Sequence, residues 1–430
     1  MRIRLLLAAM MGLPALAAAS DISVREIRSD DTLLMMGRHR FDNGRVVNLT
    51  VGIGSGAFHH PDDPPNAIWT IGDRGPNIAC GEIKRVAQME IAACRETRNG
   101  RVYLAPSYAP SIYRLILTDA GTFRITDVIT LKDRDGTPLN GMPNPLQAAT
   151  TEIPFTGSGK PLAQELNGID AEALIRLTDG TFWVADENAP SIVHVSADGR
   201  IITRHVPQGI EADYANARYD VVGTLPAILA KRQLNRGIEA LAVSRDERFL
   251  FFALQSPLAN PDTEAARTSR NVRLFQIERT SMQIVGEYVY VLDDPKTFGR
   301  DPSGRQADPR ISEMTVIETN HLVVLERTEA TTKLYEIDLG KATNIHGTPW
   351  DRISTSPSLE QVNLAEAMIV PVSKALRFDG ADFPKIARKT EGVAALPDGT
   401  LVLINDDDFG IEGARTQIIV VRGLDFRGPQ

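Results

Sequence analysis

Residues 168–192 read GIDAEALIRLTDGTFWVADENAPSI, and this stretch decides the fold. Two short apolar runs, each of strand length, flank Asp179-Gly180, a pair that is typical of tight hairpin turns. The second run ends on two adjacent acids, Asp186 and Glu187. Neighbouring carboxylates at a strand end repel each other unless something positive lies near them. The stretch therefore predicts a β-hairpin whose polar end needs a partner.

The same plan recurs along the chain. Each copy begins with a small or acidic residue, continues as a short apolar strand, turns, and continues as a second apolar strand that ends on a polar residue. Third strands follow several copies, as in SIVHVSADG and NVRLFQIE. Units of about four strands that recur without helices between them are typical of a β-propeller. The five copies occupy residues 52–77, 168–192, 236–258, 310–337 and 389–411.

The predicted fold is an all-β propeller that occupies residues 20–430 as a single domain. Five copies predict five blades, and a sixth blade concealed before Glu172 is the alternative. Insertions are expected near residues 78–100, 137–167 and 208–234, and the last of these contains the one helix-like stretch. Either ISVREI or RVVNLT is expected to share a blade with TQIIVVRGL, so that the N- and C-terminal strands close the ring.

Residues 1–19 have the plan of a secretory signal. Arg2 and Arg4 precede a short apolar run, and three alanines ending at Ala19 provide a small-residue cleavage site. We therefore expect cleavage after Ala19 and an exported protein that is periplasmic or secreted. An uncleaved membrane anchor is the alternative, although proline and glycine interrupt the run and it is short for a membrane span. No later segment is long and apolar enough to cross a membrane.

Composition and cysteine content limit the function classes. The formal net charge is −8 and no basic run occurs, which argues against a nucleic-acid-binding protein. The two cysteines, Cys80 and Cys94, are expected to form a disulfide if the protein is exported. No G-x-S-x-G elbow, H-E-x-x-H metal motif, Walker A loop or dinucleotide fingerprint is present.

Acids recur at two positions of the repeat. In a propeller the first strand of every blade lines the central channel, so we expect these side chains to converge on one axis. Buried carboxylates that lie so close together cannot all stay ionised without a counter-charge. The first position holds Glu172, Glu239, Glu313 and Glu391, with Ser55 in the first copy. The second position holds Asp73, Glu187, Glu326 and Asp406, with Gln255 in the third copy.

A hard divalent cation, above all Ca²⁺, would hold such acids because it accepts six to eight oxygen ligands. Basic residues beside the acids in sequence are the other source of positive charge, namely Arg74, Arg236, Arg327 and Lys389. Alternatively, the acids are solvated strand ends and turn caps. Solvated acids have no reason to recur in register, so the recurrence favours a shared site. The predicted metal ligands are Asp73, Glu172, Glu187, Glu239, Glu326, Glu391 and Asp406.

Five segments together resemble the phytase-like domain family described as "esterase-like activity of phytase". They are IGDRGPN, LTDGTFWVADENAPSI, NRGIEALAVS, LVVLERT and KTEGVAALPDGTLVLINDDDFG, in the family's order. The resemblance implies an exported bacterial β-propeller that hydrolyses esters or phosphate esters. Two departures are Ala189, where a glycine is expected, and Gln255, which interrupts the acidic series. The matching positions are Asp73, Arg74, Glu172, Glu187, Asn235, Glu239, Glu326, Arg327, Glu391 and Asp406.

These observations favour an exported, metal-dependent hydrolase of a small anionic or ester substrate. Acids would hold the cation or act as general base, and arginines would bind the anion. The alternative is a non-catalytic periplasmic propeller that binds a ligand or a protein around a structural cation. A propeller oxidoreductase is a third hypothesis, but no cofactor motif supports it. The candidate catalytic residues are Glu239, Glu172, Arg74, Arg236 and Arg327.

Overall fold

The computed structural model describes residues 22–28 and 33–426, so the predicted signal segment at residues 1–19 lies outside it. Strands dominate these residues. In chain order they are β1 Ser23–Arg28, β2 Met35–Arg40, β3 Val46–Thr50, β4 Gly56–Phe58, β5 Ala67–Ile71, β6 Asn77–Ala79, β7 Gly100–Tyr103, β8 Ser111–Leu117, β9 Phe123–Thr130, β10 Ile153–Thr156, β11 Ala171–Arg176, β12 Phe182–Asp186, β13 Ser191–Val195, β14 Ile201–Pro207, β15 Asp220–Leu225, β16 Ile238–Val243, β17 Phe249–Leu254, β18 Asn271–Glu278, β19 Gln283–Val291, β20 Arg310–Glu318, β21 His321–Arg327, β22 Thr332–Asp338, β23 Ser373–Asp379, β24 Thr390–Ala395, β25 Leu401–Asn405 and β26 Gln417–Arg422.

Helices are few and short in the described part of the chain. The α-helices are α1 Ile83–Ala87, α2 Ala92–Glu96 and α3 Thr263–Thr268. Single 3₁₀ turns occupy Cys80–Glu82, Glu211–Tyr214, Ala227–Lys231, Pro295–Thr297, Pro349–Asp351, Gly380–Asp382 and Asp408–Gly410. None of the helices in residues 22–28 and 33–426 combines the length and apolar character needed to cross a membrane. The described residues are all-β, which confirms that part of the predicted fold class.

Each sequence copy supplies the first two strands of one large sheet. Sheet 1 has the order β4-β5-β8-β9, sheet 2 the order β11-β12-β13-β14-β15, and sheet 3 the order β16-β17-β18-β19. Sheet 4 has the order β20-β21-β22-β23, and sheet 5 the order β24-β25-β26-β1. Neighbouring strands pair antiparallel, except that β15 runs parallel to β14. Tight hairpins join the first two strands of sheets 2, 3, 4 and 5, as the turn pairs of the sequence predicted.

The first strands of the five sheets contact one another in cyclic order. β4 contacts β11, β11 contacts β16, β16 contacts β20, β20 contacts β24, and β24 contacts β4. Glycines permit this close approach. A Cβ atom at Gly392 would lie 2.9 Å from the backbone N of Ala57, and one at Gly56 would lie 2.7 Å from the carbonyl O of Glu172. The inner strands therefore pack backbone against backbone around a common centre.

Apolar side chains fill the interfaces between adjacent sheets. Trp69 of sheet 1 packs in one cluster with Leu174 and Phe182 of sheet 2, and a large cluster joins sheets 2, 3 and 4. Sheets 4 and 5 share a cluster around Leu325 and Leu403, and a further cluster joins sheet 5 back to sheet 1. Each such aliphatic side chain contributes about 1.5–3 kcal/mol on burial. These interfaces hold the inner strand ends in a fixed arrangement.

The N-terminal strand completes sheet 5. β1 pairs antiparallel with β26, so that Ser23 lies opposite Arg422 and Arg28 opposite Gln417. The segment ISVREI therefore makes the pairing with TQIIVVRGL that the sequence predicted. The alternative segment, RVVNLT, forms β3 of a separate hairpin with β2. Pairing of the two chain ends covers an edge of β26 that would otherwise be open.

The predicted disulfide between Cys80 and Cys94 is confirmed. It closes the excursion between β5 and β8, which also contains β6, β7, α1 and α2. From the following insertion, β10 pairs in parallel with β7 and completes a small sheet of order β10-β7-β6. A disulfide that spans 14 residues of sequence contributes about 3 kcal/mol by restricting the unfolded chain.

The helix-like stretch near residues 208–234 is not an α-helix. It forms β15, which extends sheet 2 as a fifth strand, and then the 3₁₀ turn Ala227–Lys231. The β-branched residues Val221 and Val222 favour the extended backbone of a strand. Packing on the edge of β14 thus decides the structure of this stretch.

Candidate functional site

A β-bulge interrupts the first strand at the same place in four of the five sheets. The strand register shifts across one residue in sheets 2, 3, 4 and 5. A bulge leaves one residue unpaired and redirects its side chain. The residues at the bulges are Glu172, Glu239, Ser312 and Glu391. Three acids of the first repeat position thus occupy equivalent places on neighbouring sheets.

Glu313 does not belong to this series, because Ser312 occupies the bulge of sheet 4. One residue further on, a side chain points in a different direction. Glu313 is fully buried, and its Oε1 accepts hydrogen bonds from the backbone N–H groups of Leu241, at 3.1 Å, and Met314, at 3.0 Å. Burial raises the pKa of Glu313 well above its usual range. The prediction that Glu313 converges on the central axis with the other acids is therefore wrong.

The second repeat position lies at the end of the second strand of each sheet. In sheets 2 to 5, the first-strand residue just before the bulge pairs with a residue of the second strand. These partners are Asp186, Leu254, Glu326 and Asn405. The residues that follow them are Glu187, Gln255, Arg327 and Asp406. Sheet 4 therefore presents an arginine at this position, not the predicted acid Glu326.

Glu326 lies away from the other acids. Its carboxylate accepts hydrogen bonds from the Tyr290 hydroxyl and the Asp293 N–H, both at 2.6 Å, and from Lys374 at 3.0 Å. These partners belong to sheets 3 and 4 and to the loop after β19. The prediction that Glu326 joins the acids at the centre is wrong, because the repeat was aligned one residue out of register in sheet 4.

The remaining acids line a cavity of about 1030 Å³ at the ends of the first strands. Basic side chains line the same cavity, so the site is a mixture of both signs. Its inner acids are Asp73, Glu172, Glu187, Glu239, Glu391 and Asp406, its inner basic residues are Arg74, Arg310, Arg327 and Lys389, and Glu82, Glu329, Asp408 and Glu412 line its outer part.

Glu172, Glu187 and Glu239 form the centre of the site. One carboxylate oxygen from each lies within 4.8 Å of the others, and all three side chains are buried. Gln255 Nε2 donates a hydrogen bond of 2.7 Å to Glu187 Oε1, whereas Glu239 Oε2 has no hydrogen-bond partner. We call these three residues the central trio.

The central trio is short of positive charge. Burial, followed by the neighbouring Glu239 and Asp170, raises the pKa of Glu172 well above its usual range. Burial and Glu187 do the same to the pKa of Glu239. Burial and Asp170 raise the pKa of Glu187 to about 7, although Arg74 opposes the shift. Each shift measures the cost of holding an ionised carboxylate there.

Asp170 is a site residue that the sequence reasoning missed. It is 2% exposed, and its carboxylate groups with those of Asp73 and Glu172 within the same 4.8 Å limit. Asp170 lies two residues before the bulge of sheet 2. The equivalent positions in sheets 4 and 5 hold Arg310 and Lys389. Aligning the copies on their bulges would have revealed this third charged position.

Arg74 is held by protein partners on several sides. Its Nη1 donates to Glu152 Oε2 at 2.6 Å, its Nη2 lies 3.1 Å from Asp170 Oδ2, and it also donates to Asn235 Oδ1. Glu152 in turn accepts hydrogen bonds from Arg101 Nε at 2.6 Å and from Asn188 Nδ2 at 2.9 Å. Arg74 therefore lies at the site, but its donors are largely occupied.

Two further basic residues neutralise the acids of sheet 5. Arg327 donates to Glu391 across the interface between sheets 4 and 5, and its Nε donates to Ser312 Oγ at 2.9 Å. Lys389 donates to Asp406 Oδ2 at 2.6 Å. Burial raises the pKa of Glu391 to about 7 despite Arg327, whereas Lys389 holds the pKa of Asp406 below its usual range against the effect of burial.

Arg236 and Arg310 differ from these pairs. Arg236 donates to Ser256 Oγ at 2.9 Å and lines an adjacent cavity of about 1020 Å³, not the acidic one. Arg310 lines both cavities, its Nε has no hydrogen-bond partner, and Glu329 Oε2 lies 3.5 Å from its Nη2. Burial, Arg327 and Arg236 lower the pKa of Arg310 to about 10. Arg310 is thus the inner cation with donors to spare, and the sequence reasoning did not select it.

The structure defines a class of protein. It is all-β and has an acid-lined cavity where the first strands of five sheets meet. Residues 60–409 match the phytase-like family described as "esterase-like activity of phytase". The chain therefore belongs to that family, as its sequence segments predicted.

One curated relative is an "Uncharacterized secreted protein" from Arthroderma benhamiae. It is 25% identical over 232 residues, which is 47% of this chain and 45% of that protein. The chain thus spans less than half the length of the curated relative it matches.

Three solved structures are among those that are similar to this one. A luciferin-regenerating enzyme is 10% identical, with 95% of this chain and 99% of that chain covered and a TM-score of 0.34. The Dos1 propeller is 9% identical, with coverages of 92% and 84% and a TM-score of 0.32. A calcium-binding regucalcin from Agrobacterium tumefaciens is 12% identical, with coverages of 94% and 99% and a TM-score of 0.32. At TM-scores below 0.5 these likenesses carry no argument about activity.

Proposed function

We propose that this protein is an exported hydrolase of esters or phosphate esters that holds a divalent cation at the central trio. The observation that carries the proposal is the uncompensated negative charge of the cavity. Arg74 is paired with Glu152 and Asp170, Arg327 with Glu391, and Lys389 with Asp406. No ion pair within the described residues includes Glu172, Glu187 or Glu239. Arg74 and Arg236 offset the charge of Glu187 only in part, and Arg327 that of Glu239, since the pKa of both acids stays raised.

The free-energy cost of burying the ionised trio is large. Each ionised carboxylate buried without a counter-charge costs several kcal/mol, so the trio must take up either protons or a cation. A divalent cation would remove most of this cost in one step. The ligand set is entirely oxygen: one carboxylate oxygen from each residue of the trio, with Asp73 and Asp170, which group with Glu172, as further candidates. Such a set suits Ca²⁺ better than a transition metal.

The chain's own residues supply the remaining chemistry. When bound, the cation would polarise an ester or phosphoryl oxygen. Arg310, with its spare donors, and Arg327 would bind the anionic group of a small substrate. Glu239, whose Oε2 has no hydrogen-bond partner, is the best-placed general base, and Glu172 is the second choice. Arg74 serves to position Asp170 and Glu152 rather than to bind substrate.

We propose a five-bladed propeller as the architecture that holds this site. The cyclic contacts of the first strands and the apolar clusters between successive sheets favour five blades, with β1 and β26 closing the last one. A sixth blade is not needed, because the insertion before Glu172 contributes β10 to the small sheet. Export is supported by the signal-like sequence of residues 1–19 and by the Cys80–Cys94 disulfide, which persists in oxidising compartments.

A second candidate function is a non-catalytic binding protein with a structural cation. The observation in its favour is that Arg74, Arg327 and Lys389 already have protein partners. In that case the cavity would bind a ligand through Arg310 and the rim without turning it over. The family description favours the hydrolase.

Hydrolysis of nitrophenyl phosphate and nitrophenyl acetate by the mature protein decides between these functions. We expect turnover of at least one substrate, loss of turnover with a chelator, and recovery with added Ca²⁺. The variant Glu239→Gln should lose activity while keeping its fold, and Glu318→Gln, an exposed acid at the far end of β20, should not lose it. If the protein binds Ca²⁺ but turns over neither ester, the hydrolase hypothesis is rejected and the binding-protein hypothesis remains.

A further inference from the structure

The connection between β22 and β23 packs across the outer edge of sheet 3. The backbone N–H of Ile345 donates to the Glu287 carbonyl at 2.8 Å, and that of Val372 donates to the Val289 carbonyl at 2.9 Å. Asn344 Oδ1 accepts a hydrogen bond of 3.0 Å from the Glu287 N–H. The segment that connects two strands of sheet 4 is thus hydrogen-bonded along β19 of sheet 3.

Three potential metal ligands meet at this junction. Glu287 lies on β19, and His346 and Asp351 lie on the connection. One ligand atom from each lies within 4.8 Å of the other two. The side chains of Glu287, Asp351 and His346 are 0%, 20% and 39% exposed, so the group is open to solvent on the histidine side.

Two carboxylate oxygens at the junction are buried without a partner. Glu287 Oε1 accepts a hydrogen bond of 2.5 Å from Arg273 Nη1, but Glu287 Oε2 has no donor. Asp351 Oδ2 accepts from the Gly347 N–H at 2.5 Å, but Asp351 Oδ1 has no donor and is buried. The two carboxyl groups belong to different structural elements and lie within hydrogen-bond reach of each other, so either a shared proton or a cation must lie between them.

The charge of the junction is unbalanced as well. Arg273 is the buried cation, and it is shared between Glu287 and Glu360, whose Oε1 lies 3.0 Å from Arg273 Nε. Asp351 adds a third carboxylate. One guanidinium therefore faces three acids, which leaves two carboxylates without a cationic side chain of their own. A dication would balance them.

We propose that Glu287, His346 and Asp351 bind Zn²⁺, which fastens the connection from sheet 4 onto sheet 3. An imidazole with two carboxylates suits Zn²⁺ and disfavours Ca²⁺ or Mg²⁺, which take oxygen ligands alone. Three protein ligands leave a fourth, tetrahedral position for water on the exposed side of His346. The site shares no residue with the acidic cavity and does not depend on the hydrolase proposal.

The simplest alternative is a proton shared between the facing carboxyl groups of Glu287 and Asp351, with His346 Nδ1 only a polar neighbour, 3.2 Å from Asp351 Oδ2. That arrangement neutralises one acid and needs no metal. It predicts that added Zn²⁺ neither binds at one equivalent nor changes the melting temperature.

The test is calorimetric titration of tag-free, full-length mature protein with Zn²⁺ in excess Ca²⁺, which saturates oxygen-only sites. We expect one tight equivalent of Zn²⁺ and a rise in melting temperature. The variants His346→Ala and Glu287→Gln should weaken Zn²⁺ binding by at least about tenfold, because each removes one of three ligands. The matched control is His321→Ala, since His321 also lies between two acids, at 3.6 Å from Glu336 and 3.7 Å from Asp338.

Substitution with Co²⁺ gives a second readout that does not rely on stability. The wild type should develop visible absorption bands that His346→Ala lacks, and the partly exposed position of His346 makes that variant's fold easy to retain. Three results would overturn the proposal: no Zn²⁺ bound by the wild type, equal affinity in His346→Ala, or loss of the Zn²⁺ equivalent in Glu239→Gln. The last result would assign the Zn²⁺ to the acidic cavity.

Discussion

Gln255 Nε2 donates a 2.7 Å hydrogen bond to Glu187 Oε1, so the one neutral residue of the second repeat position supports an acid of the neighbouring sheet. Gln255 is 5% exposed and also lies beside Glu239. The interruption of the acidic series is therefore part of the site. A neutral donor at this point lowers the number of charges that a bound cation must balance.

The variant Gln255→Glu tests this role. It replaces a donor by a further acid among three buried carboxylates, so we expect the cation-free protein to lose about 2–4 kcal/mol of unfolding free energy at pH 7.5. Saturating Ca²⁺ should restore most of the loss, because the added carboxylate becomes a ligand. Urea denaturation with chelator and with Ca²⁺ measures both values. An equal loss in both conditions would argue against a cation at the central trio.

The stability of the cation-free protein should fall as pH rises from about 4.5 to about 7. Burial raises the folded-state pKa of Glu187 and Glu391 from 4.5 to about 7, and it also raises that of Glu172 and Glu239 well above the usual range. A raised pKa means that the folded state binds protons more tightly, so its contribution is complete below pH 4.5 and is lost as pH rises through the folded pKa. For an isolated group a shift of this size corresponds to about 3 kcal/mol.

Added Ca²⁺ should remove this slope, since a cation stabilises the ionised carboxylates that the higher pH produces. The measurement is the unfolding free energy at intervals of half a pH unit between pH 4.5 and 8, with chelator and with saturating Ca²⁺. Asp406 and Glu152 act in the opposite direction, because their pKa values are lowered, but their effect is confined to the acid end of the range. Parallel curves in the two conditions would contradict the proposed cation site.

Arg327 and Glu391 form a buried pair between sheets 4 and 5, and breaking it should be costly. We expect Arg327→Met to lower the unfolding free energy by about 3–5 kcal/mol, because it leaves Glu391 buried beside Asp406 without its cation. The double variant Arg327→Met/Glu391→Leu should recover most of this loss. The exposed pair of Arg218 and Asp135, 2.7 Å apart, is the control, and Arg218→Met should cost less than about 1 kcal/mol. Additive effects in the double variant would show that the pair is not energetically coupled.

The sequence predicted the repeat, the all-β class, the disulfide and most acids of the cavity, because hairpin turns and apolar runs record the strand pattern directly. It failed at sheet 4. There the copy RISEMTV holds a serine at the bulge and a glutamate after it, and aligning glutamate on glutamate shifted both repeat positions by one residue. A bulge is set by how two strands pair, which composition does not reveal. Asp170 and Arg310 were missed for the same reason, since their equivalence appears only when the bulges are aligned.

Arg310 should bind the anionic group of the substrate, because it is the inner cation whose Nε lacks a partner and whose nearest acid, Glu329, is itself 46% exposed. We expect Arg310→Gln to raise the Kd for inorganic phosphate, and the KM for a nitrophenyl ester, by about tenfold or more, as loss of a charge-assisted hydrogen bond costs about 1.5–3 kcal/mol. The unfolding free energy should change little, since no buried acid loses its only partner. Phosphate binding by calorimetry measures the effect without relying on turnover. Arg245→Gln, an exposed arginine beside a different cavity, is the control. A larger effect in Arg236→Gln than in Arg310→Gln would return the anion-binding role to the residue that the sequence selected and would place the substrate in the adjacent cavity.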